Sequence, residues 1–497
     1  MILEVSRKQD YIFSRKELKE NAARSAVIRH VTDSAFFRET AGELYREEEN
    51  LVYSGGGHTV LQFADRQQAT AFASRVTREA MKRYGGLELF VKQLEYDEGK
   101  TPGENLLALS QALERKKSLR RTSFRRTALG VEILQEKTHR PEPENQQKLE
   151  RPEQLPPPDG WSYPVDFEEL AGEDNFIAVV HADGNAMGKR VNHIYESGSD
   201  DWTDCCARLR RFSEGIQHDF ETAFTRMAEE IVRIKGTELE GRKLPVRPII
   251  LAGDDVCFAA RGKLGMECSR IFLEQLTHMS NGEDGQPYAA CAGVVMVHTK
   301  FPFHKAYDMA EELCSNAKRF GSELEPDGRI SAMDWHIEFG QLQDSLSRQR
   351  EDYETEDGAR LELRPVTVVM PEHVTLPEDE LAFRSYDFFR AMCRAMRGEY
   401  GKIARSKIKE LRTAMKQGRV ETEFFLHDKE VSDLLYHGFD SRYQDNGARW
   451  ERYRAMLHDG EKLDKRPFRT IAGTERCLFF DAVELIDHCE FLKEAEQ

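Results

Sequence analysis

The sequence predicts an α+β fold: two tandem ferredoxin-like units, each βαββαβ, followed by a mostly helical region. Three observations carry this. An apolar strand run, a helix, a glycine-tipped hairpin, a second helix and a further strand recur in that order in each half of the first 340 residues. A proline-rich stretch separates the two series. From about Phe339 onward the strand runs give way to charged helical patterns. The order β-α-β-β-α-β is that of the split βαβ arrangement.

In the first series, Ile2–Val5 reads as a short strand and Leu18–Leu44 has helical spacing. Leu51–Phe63 (LVYSGGGHTVLQF) is two apolar runs around a glycine tip, which signals a hairpin. Ala69–Tyr84 reads as a helix and Leu87–Leu94 as a strand. The stretch from Thr138 to Gly160 holds six of the seventeen prolines. Proline fixes φ and removes backbone donors, so an extended linker or an exposed insertion is expected there. In the second series Phe176–Val180 is a buried strand, Cys205–Ile234 an amphipathic helix and Pro248–Ala260 (PIILAGDDVCFAA) a hairpin. Met266–His278 is a helix, Ala289–Val297 a strand and His304–Arg319 a helix. The expected division is 1–135, first unit; 136–172, linker; 173–340, second unit; and 341–497, helical, with Leu381–Gln417 its longest helical stretch. Glycine-tipped hairpins in both halves suggest an internal duplication.

With 497 residues, 39% hydrophobic, and 28 Phe, 15 Tyr and 4 Trp, the chain can bury several cores, which excludes global disorder. Lys plus Arg total 72 against 88 Asp plus Glu, a net charge of −16. That balance argues against a protein coated in positive charge that grips any duplex, though not against a local basic groove. No run approaches the ~18 apolar residues of a membrane span. Met1–Arg7 lacks the layout of a secretory signal. The nine cysteines are odd in number and include no C-x-x-C, so reduced core thiols are expected. A cytoplasmic protein without a membrane partner is the expectation.

Chemistry concentrates in the second unit. Asp183 follows the strand 176–180 and opens the turn Gly184-Asn185-Ala186-Met187-Gly188, after which no helix is expected directly. A carboxylate at a strand end beside a glycine-flanked turn suits a divalent metal with a triphosphate next to it. Ala252-Gly253-Asp254-Asp255 forms the hairpin tip, where two adjacent carboxylates repel unless a cation lies nearby. In a ferredoxin-like sheet the first strand neighbours the central hairpin, so Asp183 can meet Asp254 and Asp255 at one edge. Such carboxylates make a two-metal site of the kind that activates a 3′-hydroxyl and neutralises leaving pyrophosphate. Ala306, Met309, Ala310, Leu313 and Ala317 form the apolar stripe of the helix 304–319. Lys318 lies at the edge of that stripe, within reach of a bound phosphate.

HADGNAMG, LAGDDV and CAGVVMVHTKFPFHKAYDMAEELCSNAK resemble the three signature blocks of the catalytic palm in the large subunit of type III CRISPR effector complexes. That family is related more distantly to GGDEF diguanylate cyclases. It has two tandem palms, and the first half here is similar to its N-terminal palm. Gln9-Asp10-Tyr11-Ile12-Phe13 with Arg24-Ser25 resembles the family's opening segment, and Gly57-His58 stands where catalytic acids would be. The resemblance spans roughly residues 1–340.

It implies Asp183, Asp254 and Asp255 as catalytic residues and ligands of Mg²⁺ or Mn²⁺. It implies Gly184, Asn185, Ala186, Met187, Gly188 and Gly253 as nucleotide-lining residues, with Lys318 on phosphate. The implied activity is a nucleotidyltransferase that makes a cyclic di- or oligonucleotide from nucleoside triphosphates, ATP first, in antiviral defence. RNA and CRISPR effector subunits are the implied partners, and a homo-oligomer stays open. The alternatives are a catalytically silent palm scaffold that binds RNA, and a diguanylate cyclase. The sequence departs from the family pattern in three ways. Ala252 replaces the first glycine of the tip, which needs a negative φ there. Asn185 replaces a second acid. Neither the HD nuclease domain nor the zinc-binding cysteines of the family are found.

Other features have plainer explanations. His58 lacks a nearby acid and is expected beside the unit interface or against a base. His218-Asp219, His427-Asp428 and His458-Asp459 lack the further ligands of a phosphohydrolase and are expected on solvated helices. Seven cations between Arg115 and Arg126 form either an exposed helix end or a phosphate-contacting patch.

Overall fold

The computed structural model describes residues 1–14, 17–119, 153–197, 201–340, 346–397, 403–436, 453, 455–459 and 462–492. The first unit runs β1 (Ile2–Ser6), α1 (Leu18–Val31), β2 (Leu51–Gly55), β3 (His58–Leu61), α2 (Arg66–Arg83) and β4 (Glu88–Lys92). Its sheet is antiparallel, in the order β2-β3-β1-β4. Alternation along β1 sorts two cores. Leu3 and Val5 join Val27, Phe36 and Phe72 on one side. Ile2 joins Val52, Val60, Leu106 and Leu109 on the other. The last two belong to α3 (Pro102–Ser118), which starts on a capping box between Thr101 and Glu104.

The helical pattern expected over 18–44 is broken after Val31, and a second helix spans Ser34–Ala41. The Thr32 carbonyl leaves the helix and accepts hydrogen bonds from Ser54 Oγ at 2.9 Å and Thr59 Oγ1 at 2.6 Å. The break therefore ties α1 to the β2–β3 hairpin.

The second unit runs β5 (Phe176–Gly184), α4 (Met187–Ser197), α5 (Trp202–Lys235), β6 (Val246–Ala252), β7 (Asp255–Arg261), α6 (Gly265–Thr277), β8 (Ala290–His298), α7 (Phe303–Leu324) and β9 (Ser331–Glu338). With β10 (Val366–Val369) the strands form a six-stranded sheet in the order β10-β9-β8-β5-β7-β6. The four strands β8, β5, β7 and β6 follow the expected antiparallel pattern. β9 is a parallel addition beside β8, reached through α7, and β10 pairs antiparallel with β9.

Helices cover both faces of β5, which is why it reads as an unbroken apolar run. Ala178, Val180 and Ala182 face the core shared with α5 and α6. Ile177 and Val179 face Tyr307, Ala310 and Leu313 of α7, in a core continuous with the first unit. Gly293 permits the closest approach, since a Cβ there would stand 2.0 Å from the Ala310 carbonyl oxygen. Helix α4 corrects the expectation that none follows Asp183. Its buried Ile194 secures it to the core.

Residues after 340 supply β10 to the sheet. They also form helices Tyr386–Met396, Arg405–Gln417, Arg419–Asp428 and Phe480–Leu485, and a hairpin of Phe468–Ile471 with Thr474–Cys477. The stretch expected as one helix over 381–417 holds two of these helices on either side of residues 398–402, which lie outside the described residues. Most of the proline-rich segment also lies outside them. From Glu153 the chain is docked: the Glu153 carboxylate takes both bonds from the buried Arg247 guanidinium at 2.6 and 2.9 Å. The helix Phe167–Ala171 buries Phe167 and Leu170. All nine cysteines are buried free thiols. Among the described residues, no helix is long and apolar enough to cross a membrane.

Candidate functional site

The antiparallel register of β5 and β7 places Asp183 opposite Asp255. Gly253 and Asp254 form the two-residue tip between β6 and β7. Gly253 alone takes a left-handed φ, +73°. Ala252 is the last strand residue and pairs with Asp255 in the ladder. Its methyl therefore meets no backbone penalty, and the departure from Gly-Gly-Asp-Asp is sterically neutral.

Each strand carboxylate has a partner. Lys318 Nζ of α7 donates to Asp183 Oδ2 at 2.6 Å and to the Gly184 carbonyl at 2.8 Å. Burial works against the Lys318 charge, but the Asp183 carboxylate outweighs it and holds the ammonium above the ordinary lysine range. His181 Nε2 lies 3.0 Å from Asp255 Oδ1. There too burial opposes protonation, and the Asp255 carboxylate more than offsets it, raising the imidazole pKa. Asp254 has no such direct side-chain partner among the described residues, and the nearby Lys318 charge relieves it only in part. Burial first, then the charges of Asp183 and Asp255, push its carboxyl up to about 7.

Asp183, Asp254, Asp255 and the Gly184 carbonyl offer hard oxygen donors of the kind Mg²⁺ and Mn²⁺ take. The crowded negative charge on Asp254 is what a divalent cation would relieve. As they stand, no three His, Cys, Asp or Glu groups among the described residues are gathered tightly enough to hold a metal. Lys318 and His181 engage two of the three carboxylates.

The turn expected to line a triphosphate is partly committed elsewhere. Gly184 N donates to Asp254 O at 3.2 Å and Asn185 N to Ala289 O at 2.8 Å. The Asn185 side-chain amide donates to the Ile330 carbonyl at 2.8 Å. Ala186 has a φ of 56°, and Met187 and Gly188 open α4. Gly184 is required by space, because a Cβ there would lie 2.8 Å from the Asp254 Cβ. Gly188 is not, since nothing lies within 4 Å of its Cβ position.

A cavity of about 680 Å³ opens between the two units. The first unit lines it with Lys8 and the tip Gly55-Gly56-Gly57, and the second with Gln217, Ala252 and Asp255. Of the catalytic and nucleotide-lining residues expected from the sequence, only Asp255 lines this cavity. Asp183, Gly253, Asp254, Lys318 and the turn 184–188 are grouped beside it at the end of β5. The two hairpin tips nearly touch, for a Cβ at Gly56 would stand 3.8 Å from the Ala252 carbonyl oxygen.

Helix α5 secures both tips. Ser213 Oγ donates to the Ser54 carbonyl at 2.9 Å. Gln217 Oε1 accepts from Gly253 N at 2.7 Å, and its Nε2 donates to the Leu251 carbonyl at 3.3 Å. His58 packs beside Tyr53 with its Nε2 3.3 Å from the phenol oxygen. Burial first, then Lys8 and Lys117, pull the His58 pKa down to about 4, so it is neutral.

Sequence reasoning missed Lys8, His181, Ser213 and Gln217, and did not place His218 on the cavity wall, where it lies. The only available sign was a polar pair four residues apart, Ser213 and Gln217, on a helix that is otherwise apolar at its buried positions. Of the basic cluster, Arg120, Arg121, Arg125 and Arg126 lie outside the described residues. Lys117 pairs with Glu4 at 3.0 Å.

Residues 176–323, which carry Asp183, the Asp254-Asp255 tip and Lys318, match the family model described as Cas10/Cmr2, second palm domain. No curated protein matches the chain. Among solved structures, the Csm1-Csm4 cassette in complex with pppApApA is similar with a TM-score of 0.52 and 15% identity, over 98% of this chain and 68% of the other. The cassette in complex with cA4 gives 0.50 and 15%, over 98% and 69%. Csm1 in T. onnurineus gives 0.51 and 15%, over 87% and 64%. At that identity the likeness is one of fold, and it extends beyond the second unit to nearly the whole chain. Residues 176–323 are thus similar to a Cas10/Cmr2 second palm domain, set in a chain whose fold as a whole is Csm1-like.

Proposed function

We propose that the chain is a metal-dependent nucleotidyltransferase of cyclase type. It would join nucleoside triphosphates, ATP foremost, into a cyclic di- or oligonucleotide messenger in CRISPR-type antiviral defence. The observation that carries this is the pairing of Asp183 with Asp255, beside Asp254, next to a cavity shared by two facing hairpin tips and lined by Asp255. The solved cassettes in complex with pppApApA and cA4 support it by analogy, and their Csm4 chains support partnership with CRISPR effector subunits.

Asp183, Asp254 and Asp255 would hold Mg²⁺ or Mn²⁺. When bound, such a cation supplies a lowered pKa at a ribose hydroxyl and charge neutralisation at the leaving pyrophosphate. The residues of the chain do the positioning. The tips bring two nucleotides within one cavity, so that the 3′-oxygen of one faces the α-phosphorus of the other. The new ester bond forms as the bond to pyrophosphate breaks. Lys318 would turn from Asp183 to a phosphate oxygen, exchanging one anion for another.

One observation favours a second reading, a silent palm that serves as a scaffold: Asn185, in place of an acid, spends its amide on the Ile330 carbonyl. The test is incubation of the purified chain with radiolabelled ATP, then each other nucleotide, in Mg²⁺ and in Mn²⁺. The control is Asp254→Ala/Asp255→Ala. A phosphatase-resistant product that is lost in the control supports the cyclase. Absence of nucleotide binding by calorimetry supports the scaffold.

A further inference from the structure

The first unit brings a cation of its own to the cleft. Directly after β1, Arg7 takes a left-handed φ of 51°, an uncommon conformation for a residue with a side chain. The next residue, Lys8, reaches the β2–β3 tip, where its Nζ donates to the Gly56 carbonyl. Its stem lies along the tip, since a Cβ at Gly57 would stand 3.0 Å from Lys8 Cε. Four cations line the cavity, namely Arg7, Lys8, Arg29 and Lys117. Arg29 is paired with Glu221 at 2.5 Å, and Lys117 with Glu4 at 3.0 Å. Arg7 lies 3.9 Å from both Asp10 and Glu88.

Among the described residues Lys8 has no carboxylate within ion-pair distance. Its ammonium has three donors, and the structure gives it one carbonyl. Burial draws it below the ordinary lysine range, against the pull of Glu4 and of Asp255 in the other unit. A half-buried cation without a counter-ion is unfavourable unless an anion joins it.

We infer that Lys8 is a substrate-binding residue that holds the polyphosphate of a nucleotide in the cavity between the two hairpin tips. This rests on the nucleotidyltransferase reading. It adds that the first unit, which lacks acids at its own tip, contributes the charge that the second unit's carboxylates cannot. A magnesium-bound triphosphate retains negative oxygens, and Lys8 stands on the cavity wall facing them.

The test is calorimetry on the full chain with MgATP and, separately, with magnesium tripolyphosphate, for wild type, Lys8→Met and Lys8→Arg. A charge-assisted hydrogen bond of ordinary strength predicts that Lys8→Met weakens both ligands by about 10- to 100-fold. It also predicts a shallower salt dependence, with Lys8→Arg recovering most of the affinity. Removing a desolvated charge leaves the melting temperature at or above that of wild type, so the loss is not one of folding. Should Lys8→Met fail to fold, Lys8→Gln is measured in its place. Unchanged affinity in the neutral variant overturns the inference and leaves the nucleotide reading standing. Wild-type binding of tripolyphosphate but not of ATP, lost in Lys8→Met, supports the Lys8 site and sinks the nucleotide reading. Binding of neither ligand by wild type overturns both.

Discussion

Asp183 and Asp255 stand opposite each other on adjacent strands, yet each is held by a different side chain. Lys318 engages Asp183 at 2.6 Å and His181 engages Asp255 at 3.0 Å. The carboxylates are therefore kept apart and partly neutralised until another cation competes for them. Lys318→Met leaves Asp183 without its partner in a half-buried setting, which is expected to cost about 1–2 kcal/mol. Lys318→Met/Asp183→Asn recovers part of that. Urea denaturation of the two single variants and the double variant checks it, and strictly additive effects would contradict the coupling. On the proposed function, either single variant lowers product formation at least about 100-fold.

The tip of the second hairpin depends on Gln217, which both accepts from Gly253 N and donates to the Leu251 carbonyl. Gln217→Leu is expected to lose about 1–2 kcal/mol of stability by leaving a part-buried N–H unpaired. With the tip slackened, turnover falls by about tenfold with little change in KM. Steady-state kinetics read that split. A change confined to KM would move Gln217 from positioning to substrate contact.

Gly293 allows α7 to lie against β8 backbone to backbone. Gly293→Ala would place a methyl 2.0 Å from the Ala310 carbonyl oxygen. Neither partner is a flexible side chain, so α7 must shift. The expected loss exceeds about 3 kcal/mol, in the range reserved for overpacked cores. Differential scanning calorimetry beside Gly188→Ala, where nothing lies within 4 Å, checks it. Equal melting temperatures would refute the close packing.

Two histidines make the fold acid-sensitive. Burial first, aided by Lys8 at His58 and by Arg364 at His336, holds both pKa values down at about 4. Above the ordinary histidine pKa neither the folded nor the unfolded chain is protonated there, and the contribution to stability is complete. As pH falls from about 6.5 toward 4, the unfolded chain takes protons that the folded one refuses, and stability drops. The loss reaches at most about 3 kcal/mol for the buried His336, and less for the part-exposed His58. Urea titrations from about pH 7 to pH 5 should show it, and His336→Gln should flatten the slope by about one proton. An unchanged slope would mean that His336 is protonated in the folded state.

Much of the fold was legible because the second unit obeys simple periodicities. β5 and β8 are unbroken apolar runs because they are covered on both faces, and α7 has a clean stripe. The Asp183–Asp255 juxtaposition followed from topology alone. What was not legible depends on backbone carbonyls, which carry no residue identity. The break after Val31 answers to the Thr32 carbonyl, the role of Asn185 to the Ile330 carbonyl, and the placing of Gln217 to Gly253 and Leu251. Parallel strand β9 was hidden because its inward Asp334 and His336 interrupt the apolar pattern, and Arg350 buries with Asp334 at 2.8 Å to compensate. The placement of Lys8 had no sequence signal, since its direction comes from the left-handed backbone at Arg7.

Ser213 and Gln217 lie one turn apart on the same 34-residue helix, each gripping a different hairpin. At 3.6 residues per turn, adding or deleting a single residue between them rotates one contact by about 100° while leaving the other in place. The gap between the hairpins is thus recorded in the chain as a count of residues. A frame-preserving insertion or deletion of one codon in this span would dismantle the cleft. Homologous chains that keep the cleft should never vary in length here.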